Sequence, residues 1–185
     1  MRRQDTHTEF VLVPVKAFRE AKVRLAPALP PAERAELARS MAGSVVAAAR
    51  HLPVAVVCDD DEVATWAERL GALVVSEPGR GLNGAVTAGV ERLRTNGVAR
   101  VTVAHADLPL ASDLTWPGQF DGITLVPDRR RDGTNVVSIP SGAGFRFSYG
   151  PGSLGRHQLE AQRLGLPVRV VEEASLAWDV DLPAD

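Results

Sequence analysis

The chain has 185 residues, of which 45% are hydrophobic, so one domain of ordinary size with a sizeable core is expected. Its formal net charge of −2 argues against a nucleic-acid or anionic-membrane surface, and no apolar run approaches the ~20 residues of a membrane span. The single cysteine, Cys58, rules out an internal disulfide and is expected to be buried and inert. The start of the chain lacks the apolar segment of a secretory signal, which predicts a cytoplasmic protein.

The first half of the chain alternates between short apolar runs and amphipathic stretches. Residues 1–9 are polar and predict a loose tail, after which 10–185 should form a single domain. A basic loop over 16–31 follows the first predicted strand. This alternation predicts an α/β fold with a mostly parallel central sheet flanked by helices. The predicted strands are 10–15, 54–58, 72–76 and 100–106. Three helices are predicted in this half: one that begins near Ala32, one over 59–71 and one over 81–97.

The second half is less regular, as is common where loops build a substrate pocket. Strands are predicted at 123–127, 135–140 and 168–173, and a helix at 153–165. The first two of these strands are joined by a turn that contains Arg129, Arg130 and Arg131. We expect this run of charges to be solvated.

Three acidic residues stand where runs of β-formers give way to prolines. Asp107 ends the predicted fourth strand, and Asp179 and Asp181 lie in the segment WDVDLPAD, 178–185. If that segment is extended, both of its carboxylates leave the same face. Carboxylates at strand ends suit Mg²⁺, which prefers hard oxygen ligands, so the pattern favours a site for one or two metal ions in a nucleotide-binding enzyme. The alternative is that Asp107 caps a turn and the other two are solvated.

The loop after the first strand carries Lys16, Lys22 and Arg24. Lysine binds phosphate as a point charge and arginine can bind it through two parallel hydrogen bonds, so the cluster suits a triphosphate. The loop lacks the glycines of a Walker motif, and the chain has no G-x-G-x-x-G. A solvated basic loop is the alternative.

A third cluster combines small and hydroxyl residues in DGTNVV, 132–137, and SYGPGSLGRH, 148–157. Gly133 and Gly150 permit a ligand to approach the backbone closely. Thr134 offers a hydroxyl, and Ser153, at the start of a predicted helix, offers a hydroxyl and free backbone N–H groups to an anion. Ordinary turn chemistry is the alternative, and it is the reading we adopt for Gly152.

The histidines do not form a pattern of their own. His7 and His51 are expected at the surface. His105 lies on the same side of its strand as Asp107, either near a metal or packed in the sheet. His157 follows Ser153 by one helical turn and either helps to bind an anion or lies at the surface. No spacing indicates a zinc site or the nucleophile elbow of an α/β-hydrolase.

The order of these motifs resembles that of a known enzyme family. The motifs are VPVKAFREAKVRL, GLNGA, HADLPL, DGTNVV, FSYGPGSLGRH and WDVDLPAD. Together they resemble the 2-phospho-L-lactate or phosphoenolpyruvate guanylyltransferases of coenzyme F-420 (deazaflavin) biosynthesis. The resemblance implies a Rossmann-like nucleotidyltransferase fold similar to that of the molybdopterin guanylyltransferases.

The resemblance also implies a reaction and a role for each site residue. The phosphate of a three-carbon phospho-acid would attack the α-phosphorus of GTP and release pyrophosphate, with phosphoenolpyruvate as the favoured acceptor and 2-phospholactate or 3-phosphoglycerate as alternatives. Asn83, in the G-L-N segment, would touch the nucleotide. The implied ligands for Mg²⁺ are Asp107, Asp179 and Asp181, and the implied catalytic residues are Asp107, Lys22 and Arg24. The nucleotide phosphates would be contacted by Lys16, Lys22 and Arg24. The phospho-acid would be contacted by Thr134, Gly150 and Ser153.

Two departures from the family pattern leave other readings open. Val23 stands where many relatives have a hydroxyl residue, and the sequence ends at Asp185 where relatives continue into a terminal helix, which could expose apolar surface. A nucleotidyltransferase for molybdopterin or a sugar phosphate is one alternative, although the first loop lacks the glycines expected for molybdopterin. A non-catalytic nucleotide-binding protein is another. A homodimer is an open expectation, whereas an aromatic content of 5% disfavours a nucleic-acid partner.

Overall fold

The computed structural model describes residues 8–77, 79–183 and 185, and within them seven strands form one sheet flanked by helices. The predicted tail residues 1–7, with His7, lie outside the described residues. The strands are β1 (Glu9–Pro14), β2 (Val54–Cys58), β3 (Leu73–Ser76), β4 (Arg100–Ala104), β5 (Ile123–Pro127), β6 (Thr134–Pro140) and β7 (Val168–Val170). The helices are α1 (Pro31–Ala48), α2 (Asp61–Arg69), α3 (Gly81–Thr95), α4 (Ser153–Arg163) and α5 (Ala174–Ala177).

The sheet has the strand order β3-β2-β1-β4-β6-β5-β7. The first four strands run parallel to one another, which confirms the mostly parallel sheet predicted from the alternating elements. β6 is antiparallel to both of its neighbours, β4 and β5, and β7 runs parallel to β5. The chain moves outward from β1 to β3 on one side and then crosses to β4 on the other, so a crevice forms between the ends of β1 and β4.

Apolar side chains alternate along β1 and fill two cores, one on each face of the sheet. Val11 and Val13 face the core beneath α1 and α2, and Leu12 between them faces the core beneath α3 and α4. All three are fully buried, as expected for a parallel strand covered on both faces. Cys58 is buried in the first core, which confirms the position expected for it.

Several element ends differ from the predicted ones. β4 stops at Ala104, because only His105 N–H continues its ladder, to the carbonyl of Asn135, before the chain turns. β7 stops at Val170, and the glutamates predicted to extend it lead into α5, which was not predicted. Glu173 caps that helix by accepting a hydrogen bond from Ser175 N–H at 3.2 Å. Within the described part of the chain, no helix is long and apolar enough to cross a membrane.

Gly89 allows α3 to lie close to β1, which predicts opposite effects for two helical glycines. A Cβ at Gly89 would lie 2.8 Å from a methyl carbon of the fully buried Leu12, whereas a Cβ at Gly43 in α1 would meet nothing within 4 Å. Gly89→Ala should therefore lower the free energy of unfolding by about 1–3 kcal/mol through overpacking. Gly43→Ala should raise it by up to about 1 kcal/mol through helix propensity.

Denaturant unfolding of both variants beside the unmodified protein is the measurement. Because the two changes are chemically identical and both occur inside helices, Gly43→Ala isolates the propensity gain that is common to both. Equal stabilisation of the two variants would show that α3 does not need a glycine against Leu12.

Candidate active site

A cleft of about 800 Å³ opens where β1 and β4 end and β6 begins. It collects side chains from the basic loop, the end of β4, the start of β6, the turn before α4 and the segment after α5. Asn83 is the one predicted site residue that does not line it. The predicted residues that line the cleft are Lys16, Lys22, Arg24, Asp107, Thr134, Gly150, Ser153, Asp179 and Asp181.

The basic loop is held in place by an aromatic anchor. Phe18 is buried, and its ring meets the ring of Trp66 in α2 edge to face, with centroids 5.4 Å apart. The Arg39 guanidinium lies over the Phe18 ring, 4.9 Å from its centroid. Arg19 forms an ion pair with Asp60, the residue that caps α2. The loop is thus docked on α1 and α2 and is not a freely solvated segment.

Lys22 turns its side chain into the cleft from a left-handed backbone position, with φ 55°. Its Nζ donates to Asp107 Oδ2 at 2.6 Å and to Asp181 Oδ1 at 3.1 Å. Burial opposes the charge, but the two carboxylates outweigh it and raise the pKa of Lys22. Arg24 lies farther out, 3.8 Å from Asp181 Oδ2, and its side chain is 74% exposed.

The three predicted acids come together because the segment after α5 is tied to the end of β4. Val180 N–H donates to the carbonyl of Asp107 at 3.2 Å, which places Asp179 and Asp181 on either side of that contact in sequence. Burial, reinforced by the charges of Asp107 and Asp181, raises the pKa of the Asp179 carboxyl. The three carboxylates therefore line one cleft, although within the described residues they do not form a ready-made group of three metal ligands.

Asp185 and Arg129 hold that acidic segment against the β5–β6 turn. The Asp185 carboxylate accepts hydrogen bonds from the backbone N–H groups of Asp181 and Leu182, at 2.9 and 2.8 Å, and pairs with Arg129. The Arg129 guanidinium also lies over the Trp178 ring, 4.2 Å from its centroid. Arg129 is exposed in the turn, as expected for the run of three arginines, but it also has partners far away in sequence that leave no local pattern.

The opposite part of the cleft carries two buried hydroxyls and a glycine with a positive φ. Thr134 begins β6 and Ser153 begins α4, and their hydroxyl oxygens lie 3.4 Å apart. Gly150 has φ 111°, a conformation that favours glycine. Ser153 N–H donates to the carbonyl of Gly150, and Leu154 N–H to that of Asp132. The N–H groups of Ser153 and Leu154, expected to be free at the start of α4, are therefore bonded within the chain itself.

His157 is fully buried, so the expectation of a surface histidine is wrong. Its Nε2 accepts a hydrogen bond from Ser148 N–H at 3.0 Å, and its Nδ1 lies 3.1 Å from Thr134 Oγ1. Phe145, Phe147 and Tyr149 surround the ring. The alternation of these aromatics every second residue was the signal that could have revealed a buried partner.

One more residue lines the cleft, and Asn83 supports a neighbouring turn without lining it. His105 lines it, packs its ring 4.8 Å from that of Tyr149, and has a buried Nε2 without a hydrogen-bond partner among the residues described. Asn83 Oδ1 accepts a hydrogen bond from Tyr149 N–H at 2.7 Å, so Asn83 supports the 147–150 turn from α3. A direct contact between Asn83 and a nucleotide stays a prediction.

The burial of His157 predicts an acid-sensitive contribution to stability. Burial, with the nearby charge of Arg156, lowers the pKa of His157 to about 4, whereas an unfolded histidine titrates near ~6.5. The unfolded chain therefore binds the proton first, and stability is lost as the pH falls from ~6.5 towards 4. The full shift corresponds to roughly 3 kcal/mol.

Urea unfolding of the unmodified protein and of His157→Gln, at steps between pH 7 and 4.5, checks this expectation. The variant should be less stable at pH 7 but should lose less stability across the window. The comparison of slopes removes the carboxylates that both proteins share, among them Glu160, whose hydrogen bonds with Arg163 lower its pKa to about 2. Parallel slopes would show that His157 is not kept neutral by the fold.

Comparison with known proteins agrees with this geometry. The family described as "Guanylyl transferase CofC like" matches residues 9–185. A phosphoenolpyruvate guanylyltransferase of Rubrobacter xylanophilus is 38% identical over 185 residues, which are 95% of this chain and 90% of that protein. A 2-phospho-L-lactate guanylyltransferase of Methanothermobacter thermautotrophicus is 32% identical over 182 residues, 94% of this chain and 80% of that protein.

Solved structures of low sequence identity share the fold. A nucleotidyl transferase from Methanothermobacter thermautotrophicus has a TM-score of 0.67 at 17% identity, covering 96% of this chain and 94% of that one. A 4-diphosphocytidyl-2C-methyl-D-erythritol synthase from Anaerococcus prevotii has a TM-score of 0.57 at 11% identity, with 96% and 94% covered. Because the family match and the relatives span nearly all of the chain, this protein belongs to the CofC-like guanylyl transferase family, whose enzymes are built on the nucleotidyltransferase fold.

Proposed function

We propose that this protein transfers the guanylyl group of GTP to the phosphate of a three-carbon phospho-acid, with release of pyrophosphate, in coenzyme F-420 biosynthesis. The observation that carries the proposal is the division of one cleft into a charged part, built by Lys22 and the three acids, and a part with buried hydroxyls, built by Thr134 and Ser153. A polyphosphate and a small carboxylic acid need these two different environments side by side. Location in the cytoplasm and a homodimer remain predictions.

The charged part suits the nucleotide phosphates and the metal ion that accompanies them. Lys16, Lys22 and Arg24 supply positive charge beside the end of β1. Asp107 Oδ1 is buried and has no hydrogen-bond partner within the described ranges, so a carboxylate oxygen is free to meet a cation. This donor set fits Mg²⁺, which uses one or two carboxylates together with substrate phosphates and water. The arrangement is not a complete three-carboxylate site, because no group of three or more His, Cys, Asp or Glu in the described residues is placed to hold a metal ion.

The chemistry requires positioning and charge neutralisation more than proton transfer. A phosphate oxygen of the acid forms a bond to the α-phosphorus of GTP, and the bond from that phosphorus to the bridging oxygen of pyrophosphate breaks. The attacking phosphate is already ionised, so no strong general base is needed. Mg²⁺ would neutralise charge on the transferring group, with one or two of Asp107, Asp179 and Asp181 as its protein ligands beside the substrate phosphates. Lys22 and Arg24 would stabilise the negative charge that the leaving pyrophosphate gains.

The hydroxyl part suits the carboxylate of the acid. Thr134 and Ser153 are buried, and Gly150 leaves the backbone accessible beside them. Phosphoenolpyruvate is the favoured acceptor because of the names of the relatives. The phosphoenolpyruvate guanylyltransferases from Rubrobacter xylanophilus and Sphaerobacter thermophilus are 38% and 36% identical to this chain, and the 2-phospho-L-lactate guanylyltransferase is 32% identical. The acceptors differ by a double bond, a methyl group or a hydroxyl, which a pocket distinguishes by about 1–3 kcal/mol.

Pyrophosphate release from GTP and Mg²⁺ tests the proposed function directly. Phosphoenolpyruvate, 2-phospholactate and 3-phosphoglycerate are supplied separately, with ATP as the control nucleotide. Release with GTP and one acid would support the proposal and identify the acceptor. Folded protein that releases no pyrophosphate with any of the acids would overturn it, and molybdopterin or a sugar phosphate would be the next acceptors to supply.

Asp107→Asn should reduce turnover by at least a hundredfold while the chain stays folded. A neutral amide is a poor ligand for Mg²⁺ and also loses the charge that holds Lys22 at 2.6 Å. Asp121→Asn is the matched control, because Asp121 is exposed and precedes β5, at the ends of the strands that face away from the cleft. Turnover within a few-fold of the unmodified enzyme would remove Asp107 from the metal site.

Ser153→Ala should raise the KM for the phospho-acid about tenfold, as expected for one lost hydrogen bond to a charged group, and leave the KM for GTP nearly unchanged. Steady-state kinetics with each substrate varied in turn measures both constants. Ser40→Ala, on the exposed side of α1, is the control. An effect confined to GTP would mean that the two parts of the cleft are assigned in the wrong order.

A further inference from the structure

His157 has a tautomer that its partners dictate. The backbone N–H of Ser148 can only donate, and it points at Nε2 from 3.0 Å, so Nε2 must carry the lone pair. The neutral ring then has its proton on Nδ1, which donates to Thr134 Oγ1 at 3.1 Å. Protonation of Nε2 would bring two hydrogens face to face at a fully buried site. The histidine is therefore a fixed donor towards Thr134.

This fixed donor decides whether the Thr134 hydroxyl donates or accepts a hydrogen bond when a ligand binds. A hydroxyl has one proton and two lone pairs, and one lone pair is taken by His157 Nδ1–H. The Ser153 hydroxyl oxygen lies 3.4 Å away, at the long limit of a hydrogen bond, so its own O–H stays available to a ligand. The group that Thr134 can offer to an anion is its own O–H, and the residue lines the cleft. Thr134 is thus presented to a ligand as a hydrogen-bond donor, which suits an anionic oxygen.

We propose that His157 is a positioning residue that sets the Thr134 hydroxyl as a donor to the carboxylate of the phospho-acid. The inference rests on the proposed function, because it assigns that carboxylate to this part of the cleft. His157 itself does not line the cleft and acts through Thr134. A donor that is already oriented in the free protein costs little free energy to reorganise when the anion binds. Loss of the hydrogen bond that orients Thr134 should therefore weaken binding of the acid and leave the chemical step nearly intact.

Two substitutions separate the two hydrogen bonds of the imidazole. His157→Gln places an acceptor near the former Nε2 and can keep the bond from Ser148 N–H, but it offers no donor to Thr134. His157→Asn places an amide near the former Nδ1 and can keep the donor to Thr134, but it leaves Ser148 N–H without its acceptor. A purely structural role would make the two variants similar in kinetics, or make His157→Asn the worse enzyme.

The expected kinetic result is a split between the variants. His157→Gln and Thr134→Val should each raise the KM for the phospho-acid about tenfold, with KM for GTP and kcat changed less than threefold. His157→Asn should recover most of the affinity for the acid while being the less stable protein. The double variant His157→Gln/Thr134→Val should be no worse than Thr134→Val, because both remove the same interaction. His51→Gln, at an exposed histidine, is the control.

A measurement that does not need turnover tests the tautomer itself. In ¹⁵N-histidine spectra of the protein without substrates, the signal missing from His157→Gln identifies His157, and it should show a protonated Nδ1 and a bare Nε2 from pH 8 to 5. The Nε2–H tautomer, or additive effects in the double variant of an active enzyme, would overturn the role of His157. Absence of turnover by the unmodified enzyme with every acid would instead overturn the proposed function, and with it the ligand assigned to Thr134.

Discussion

The candidate active site depends on one reversal in the sheet, the insertion of β6 antiparallel between β4 and β5. A parallel strand in that position would bring its carboxyl end to the cleft. The antiparallel strand brings its first residues to the cleft instead. The hydrogen bond from His105 N–H to the carbonyl of Asn135 fixes the register of these residues against the end of β4. Thr134 thereby stands beside the end of the strand that leads to Asp107. The Thr134 hydroxyl and the Asp107 carboxylate therefore line the same cleft because β6 is antiparallel to its neighbours.

Charge balance is the second constraint on the cleft. Asp107, Asp179 and Asp181 approach one another closely enough for their charges to interact, which is costly for groups that are partly buried. Lys22 offsets much of this cost by placing one ammonium between Asp107 and Asp181, and it does so from a backbone conformation that costs about 1–3 kcal/mol in a residue other than glycine. A strained lysine with two carboxylate partners indicates that its exact position matters to the site.

The sequence predicted the regular, locally encoded part of the molecule and missed what depends on distant partners. The apolar runs of β2 and β4 and the proline entry of α1 are local signals, so their elements were found within a few residues. The approach of Asp179 to Asp107 was also expected, but Asp179 reaches the cleft from the segment after α5 and not from the end of a strand. The partners of Arg129 lie far away in sequence and leave no local pattern, and the burial of His157 was signalled only by the aromatic residues at every second position before it. Polar residues are most often exposed, and that rule fails where a polar group has a complete set of partners.

The two parts of the cleft thus rely on different physics. In the charged part, Arg24 is largely exposed, so its attraction to a phosphate would fall with salt and have little directional preference. In the hydroxyl part, Thr134 and His157 are shielded from solvent, and direction comes from a chain of hydrogen bonds that begins at Ser148 N–H. Loosely directed charge suits a flexible triphosphate with its metal ion. Fixed donors suit a small rigid acid, whose carboxylate must anchor the molecule so that its phosphate reaches the α-phosphorus in line.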